Sequence, residues 1–378
     1  MDLLFSSLSS SGLMKSPASL HVTLLGPDID HRRSLEAMLA GRVAAVDWVP
    51  DSHTFLQGRP FGVVSRLSRA SDQVWGTCDS VYLDRVLSVI DKGHADVVVC
   101  YWGTTPLADL RAIKRQRPHL KMVLMVLCYP VALQSFGVIR QRWMMRRAAA
   151  CLDGVLYPNQ VMADYFEREV WSQSRRPRLT TVVPPCWPQS YQPTAQQAPK
   201  SKEPNIIFAG RTDLSHHTVH AADDLRPLMV DILGAGIHLH HVRSRETDDG
   251  HPFRHPFEPM SQLDLIRQMS SYDASLIAYN TQACARPERF ALTVPDRLIT
   301  SVAAGVPVAI PSDGYEGAKS YLAHYPAVFE FDSASHLAAL LQDRSRVESF
   351  RQAAWQAREH YSAEYHGDQL ADFLCQCA

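Results

Sequence analysis

The sequence lacks several features that would have assigned a class at once. It has no charge imbalance: 38 Lys+Arg stand against 39 Asp+Glu, a net of −1 with a pI near 7.0. A chain-wide basic field for nucleic acid is therefore excluded, although local patches stay open. Its eight cysteines (78, 100, 128, 151, 186, 284, 375 and 377) form no CxxC pair and no regular disulfide framework. Cys100 and Cys128 stand in apolar runs, where a free buried thiol is expected, and Cys375-Gln376-Cys377 reads as a frayed, inert tail. A reduced, cytoplasmic compartment follows. Long apolar runs are missing too. The longest, Met122–Leu133, has twelve residues and contains Pro130, against roughly 17–25 for a membrane-spanning helix. The first nineteen residues are Ser-rich, with Lys15 after the apolar positions rather than before them. That order reads as a flexible leader, not a signal peptide.

What is present is material for packed cores, with 46% hydrophobic and 20% charged residues in 378. At about 150 residues per domain this suggests two domains. After the leader, apolar runs at His21–Gly26, Val43–Val49, Asp96–Tyr101, Lys121–Leu127, Gly154–Tyr157 and Thr180–Val183 read as strands. Helical spacing falls between them at Ser34–Ala40, Ser80–Ile90, Pro106–Gln116, Phe136–Ala150 and Val161–Ser172, and residues 50–77 read as a long surface loop. Continuous apolar strands alternating with helices indicate a parallel sheet covered on both faces. From 185 to 204 the composition turns to Pro and Gln, which marks a linker between residues 20–184 and 205–350. A second α/β series follows. Its strands are Asn205–Ala209, Ile237–Val242, Asp273–Tyr279, Val306–Ile310 and Val328–Phe331; its helices are Ala221–Leu233, Ser261–Met269, Pro295–Ala304, Tyr315–Ala323 and Ala334–Leu341. Residues 351–378 are amphipathic and long enough to return to the first domain.

In open parallel sheets, ligands bind beyond the carboxyl ends of the strands, near helix N-termini. Gly210-Arg211 follows one such strand, and taken alone it reads either as an ordinary strand exit or as a fork onto a diphosphate. Asn280 follows another. Thr293 reads as an N-cap, Pro295 as a first-turn residue and Gly305 as a helix end, which puts Arg297 near a helix N-terminus.

These segments carry a resemblance. Strand-Gly210-Arg211, Asp273–Asn280 (DASLIAYN) and Pro295–Pro311 (PDRLITSVAAGVPVAIP) are similar in order and spacing to the C-terminal domain of GT-B glycosyltransferases. The similarity is to the retaining family 4 group, with its "P-N-K-L-x-E-x-L-A-A-G-x-P-V" helix. Asp153-Gly154-Val155 with Pro158-Asn159, and Val182–Pro193, resemble two further segments of that group. The resemblance covers residues 150–345 in sequence and 20–150 by architecture.

It implies two Rossmann-like domains across a cleft, with the first binding an acceptor and the second a donor. It implies a hexosyltransferase-like enzyme of glycan biosynthesis that moves a sugar from a nucleotide-sugar to an unidentified acceptor, with retention and without a metal. That acceptor is a saccharide, a lipid-linked molecule or a small molecule. Gly210 and Arg211 would hold the diphosphate, Arg297 stands at the motif's Lys, and His216 stands at the second cation. Tyr279, Asn280, Pro295 and Thr300 complete the expected donor site. The family's two carboxylates fall at Thr300 and Leu292, and Gly26-Pro27-Asp28 stands where a Gly-Gly loop is usual. Those departures keep two alternatives in view: an epimerase or hydrolase acting on sugar nucleotides, and a non-catalytic subunit of the same fold.

Two further patterns need a reading. His216 and His220 stand one helical turn apart, a spacing that zinc could use, yet no Cys or second His pair stands at ligand spacing nearby. Loop and strand histidines are the expectation, with His238 and His240 on one strand face. Arg140, Arg142, Arg146 and Arg147 surround Trp143 on one helix. Their angular spread predicts a solvated helix with a buried Trp143, rather than a face for the inner surface of a membrane.

Overall fold

The structure, a computed structural model, describes residues 16–55, 71–72, 74–101, 106–130, 135–210, 222, 224–243, 250–281 and 288–378. The first fifteen residues and residues 56–70 therefore lie outside it, but Pro17–Ser19 is described as a 3₁₀ turn.

In the first half, β1 (His21–Leu25) leads to α1 (Asp30–Leu39) and β2 (Ala45–Val49). The helix begins four residues ahead of its sequence estimate. Its buried stripe opens with His31 and Ser34 before Leu35, Met38 and Leu39, so polar residues disguise the first turn. Within the expected 50–77 loop, Ser52–Phe55 forms a helical turn. Next come α2 (Ser80–Lys92), β3 (Val97–Tyr101), α3 (Leu107–Gln116), β4 (Lys121–Met125), α4 (Ser135–Ala148) and β5 (Gly154–Tyr157). The half closes with α5 (Gln160–Tyr165) and β6 (Leu179–Val182). All pairings are parallel, in the order β2-β1-β3-β4-β5-β6. Strands such as β3 are buried on both faces, and burial on both faces is what the continuous apolar runs encode.

The second half is built from β7 (Asn205–Phe208), α6 (Arg226–Gly234), β8 (His238–Val242), β9 (Arg254–Phe257), α7 (Gln262–Met269) and β10 (Ala274–Leu276). These are followed by α8 (Asp296–Ala304), β11 (Val308–Pro311), α9 (Glu316–Tyr321), β12 (Val328–Phe331) and α10 (Ala334–Gln342). The parallel order is β12-β11-β10-β7-β8-β9, the doubly wound arrangement of nucleotide-binding sheets. Strand β9 was not anticipated. Its sequence, Arg-His-Pro-Phe, has no apolar run, and it adds to the sheet edge through backbone pairing with β8. There, as expected, His238 and His240 share a face. Both stack on His255, at ring distances of 5.0 and 4.6 Å.

The Pro/Gln-rich connection is stitched down rather than loose. Trp187 is buried, and Gln192 and Gln196 donate to the carbonyls of Arg358 and Arg351. After α11 (Arg344–Ala357), 3₁₀ turns carry the chain across to α12 (Gly367–Cys377), which packs on α1. Arg42 pairs with Asp368 at 2.6 Å, and Gln369 donates to the Val182 carbonyl. The tail is accordingly not frayed. Cys377 is buried against Gly154, and burial raises its thiol pKa to about 12.

Candidate functional site

Each sheet has one place where the strand order reverses direction. In the second it lies between β7 and β10, and in the first between β1 and β3. Loops leaving such neighbours diverge and open a crevice.

At the β7/β10 crevice, Gly210, Tyr279 and Arg297 come together. A Cβ on Gly210 would overlap the Phe208 ring and stand 2.8 Å from Arg297 Nη1, so only glycine fits. The Arg297 guanidinium lies 3.9 Å over the Tyr279 ring and 5.1 Å from that of Phe208, a cation–π sandwich. Its Nη2 donates to the Ala278 carbonyl at 2.6 Å. Tyr279 is itself fixed, its N–H donating to Tyr315 Oη at 2.7 Å. Burial pushes that Tyr315 hydroxyl up to about 12, so it stays protonated. Asn280 donates from its backbone and side chain to the carbonyls of Ala222 and Asp224. Arg211 and His216 lie outside the described residues.

Helix α8 rises from this crevice. Pro295, not Thr293, occupies its N-cap, and no side chain caps it. Thr293 instead sits 4.0 Å from Cys128 Sγ of the first half. Gly305 ends the helix at φ 65°, a conformation that glycine adopts without a Cβ penalty. The unbonded N–H groups of the first turn give that end a positive field.

Thr300 is placed differently from Gly210 and Arg297. It is buried on the flank of α8, where its Oγ1 donates to the Asp296 carbonyl and accepts from Trp187 Nε1 at 3.1 Å and from the Gln262 amide. Leu292 is buried as well, and its carbonyl accepts from Asn159 Nδ2 at 2.9 Å. The two positions of the family carboxylates therefore bind the halves to each other and to the connection between them.

From the first half, the first turn of α1 reaches the first turn of α8. His31 Nε2 lies 3.1 Å from Asp296 Oδ1, and the His31 ring packs 4.9 Å from that of Trp187. Asp30 at the start of α1 accepts from Tyr191 Oη at 2.8 Å. At the β1/β3 reversal, Gly26 is covered by the Tyr101 ring, which a Cβ would meet at 2.7 Å. Tyr101 Oη in turn donates to the Pro27 carbonyl at 2.6 Å. His31, Trp187 and Gln262 escaped the sequence reading, which assigns no role to Asp296. The available signal was the short distance of His31 from the end of β1, and the place of Asp296 inside the PDRL segment.

The architecture matches known structures over nearly the whole chain. Sucrose-phosphate synthase from Thermosynechococcus elongatus superposes with a TM-score of 0.64 at 13% identity, covering 94% of this chain and 98% of that one. The fold is GT-B. Two other GT-B structures superpose at a TM-score of 0.59: Anabaena HepE, solved with UDP and glucose, and a glycosyltransferase from Rickettsia africae. Their identities are 13% and 12%, over 94% and 95% of this chain and 99% and 98% of theirs. No family model matches the sequence, and a search of curated proteins finds no match. In this GT-B chain the two crevices and the facing ends of α1 and α8 define the candidate site. Among the described residues, no group of three or more His, Cys, Asp or Glu is placed to hold a metal ion, and no helix is long and apolar enough to cross a membrane.

Proposed function

We propose that the chain is a glycosyltransferase that takes a sugar from a nucleoside-diphosphate donor and delivers it, with retention, to an acceptor in the cleft. The observation that supports this most is the assembly of Gly210, Tyr279 and Arg297 beneath the N-terminus of α8, at the strand reversal of a GT-B second domain. Anabaena HepE, of the same fold, has been solved with UDP-glucose. Breaking the sugar–phosphate bond leaves positive charge on the ring and negative charge on the departing diphosphate. The helix terminus, Arg297, Arg211 and His216 are the groups that would meet that negative charge.

A titration of nucleoside diphosphates and their sugars, uridine first, tests the reading by calorimetry. Arg211→Ala should weaken donor binding by on the order of 2–5 kcal/mol while the protein stays folded. A folded wild-type protein that binds none of these nucleotides would refute it.

A second reading has its own support. Thr300 is buried against Trp187 of the connection and Gln262, and Leu292 is buried with its carbonyl bonded to Asn159 of the first half. A chain built that way could bind nucleotide without turnover and serve as a non-catalytic subunit. Donor binding without release of nucleoside diphosphate, across a panel of acceptors, would favour this reading over the first.

A further inference from the structure

Helix α4 carries an exposed stripe that the sequence pattern hid. Phe136 is 79% exposed, Ile139 62% and Trp143 40%, so Trp143 is not the buried residue expected. The four arginines of this helix divide into two pairs. Arg142 turns toward Glu169, at 3.6 Å, and Tyr165; Arg146 donates to the carbonyls of Val170 and Glu169. Those two tie the helix to its neighbour. Arg140 and Arg147 fall on the outward side, with the Arg147 guanidinium 4.8 Å over the Trp143 ring. The outward set is therefore Phe136, Ile139, Arg140, Trp143 and Arg147, whose spacings of three or four place them on one face.

The adjoining surface extends this face. Trp75 is 66% exposed, and its carbonyl accepts from Arg111 at 3.4 Å and Arg115 at 3.0 Å, both on α3. The Arg111 guanidinium pKa is lowered by burial and then by the like charges of Arg147 and Arg115, so the two helices present one concentration of positive charge. No acidic residue occurs in α4, and the Asp109 of α3 is buried. In a chain of net charge −1, this is a local basic field studded with aromatic and aliphatic side chains.

We propose that this α3–α4 face docks on the surface of an anionic phospholipid bilayer. The charge is complementary to acidic headgroups, and arginine stems with indole rings suit the headgroup level. Phe136 and Ile139 decide between lipid and other acidic partners. Exposed aliphatic and phenyl groups in line with the cations gain from entering the acyl boundary, whereas a phosphate backbone offers them nothing. Helix α4 follows a strand of a parallel sheet, so its first turn, with Phe136, stands at the carboxyl edge that faces the cleft. Docking would bring the cleft mouth to the membrane surface.

The test is co-sedimentation of the full chain with vesicles of phosphatidylcholine alone, or with about half phosphatidylglycerol. Binding should favour the anionic vesicles and fade as salt rises. Arg140→Glu with Arg147→Glu should weaken it by more than about tenfold, from roughly fivefold per cation lost. Phe136→Ser with Ile139→Ser should weaken it by a similar factor at unchanged charge. Phe136, Ile139 and Arg140 are exposed and Arg147 is half-buried, and unchanged thermal melts confirm that both variants fold. Equal binding to neutral vesicles, no binding to anionic ones, or an apolar variant that binds like wild type would overturn the proposal. So would binding to a single-stranded oligonucleotide in place of vesicles.

Discussion

His31 Nε2 and Asp296 Oδ1 meet at 3.1 Å across the cleft, joining the first turns of α1 and α8. The carboxylate lies where α8 is most positive, which is also where a diphosphate is proposed to bind. The two anions then compete for the same field. Asp296→Ala should raise nucleoside-diphosphate affinity severalfold at low salt, and because Asp296 is more than half exposed it should cost under about 1 kcal/mol of stability. Calorimetry and urea denaturation measure the two effects. Weaker nucleotide binding in the variant would place the diphosphate elsewhere.

Gly210→Ala should disturb the crevice directly, because the added methyl overlaps Phe208 and presses on Arg297. Overpacking of this kind costs about 1–3 kcal/mol. The variant should lose both stability and nucleotide affinity, whereas alanine at the open Gly234 should spare the affinity. Thermal melts with and without nucleotide distinguish the two.

Thr300→Val should loosen the connection between the halves. It leaves the Trp187 indole N–H and the Gln262 amide without their acceptor, at about 1–3 kcal/mol for a buried unpaired group. Thr300→Ser should recover most of the loss. Equal urea midpoints for valine and wild type would show that the contact adds nothing.

Two buried groups give stability opposite slopes with pH. Burial pushes the Asp109 carboxyl up to about 7, despite hydrogen bonds from the Ser52 N–H and Tyr82. Between about pH 4 and 7 the folded protein then holds a proton that the unfolded chain releases, so stability falls as pH rises. His240 is pushed down to about 3, by burial and then by Lys200, His255, His238 and His241. Below about pH 6.5 the unfolded chain takes a proton there that the folded protein refuses, so stability falls as pH falls. Asp109→Asn should therefore steepen the acid loss, and His240→Phe should flatten it. Denaturation midpoints from acid to neutral pH decide; variants that shift the curve in parallel would refute the assignment.

Most strands of both sheets could be read because parallel strands buried on two faces need unbroken apolar runs, as Val97–Tyr101 shows. Gly210 and Arg297 could be read from their positions after a strand and at a helix start. What the sequence concealed depends on partners distant in the chain. Trp187 sits in a Pro/Gln-rich stretch, yet it is buried because α8 offers Thr300 and α1 offers His31. The β9 segment forms a strand because β8 presents an open edge. Trp143 was misplaced because angular spacing treats all four arginines alike, whereas Glu169 and Val170 draw two of them inward.

Helix α12 adds Leu370, Phe373, Leu374 and Cys377 to the same core as Leu20, Val22, Leu35 and Met38 of the first half. During synthesis it emerges only after every strand of the second sheet has left the ribosome. The first sheet must therefore wait with an uncovered apolar face while its sister folds, and chaperone dependence should be greatest in that interval. A chain stopped before α12 would not yield a smaller stable protein. It would leave two halves, one of them permanently unfinished.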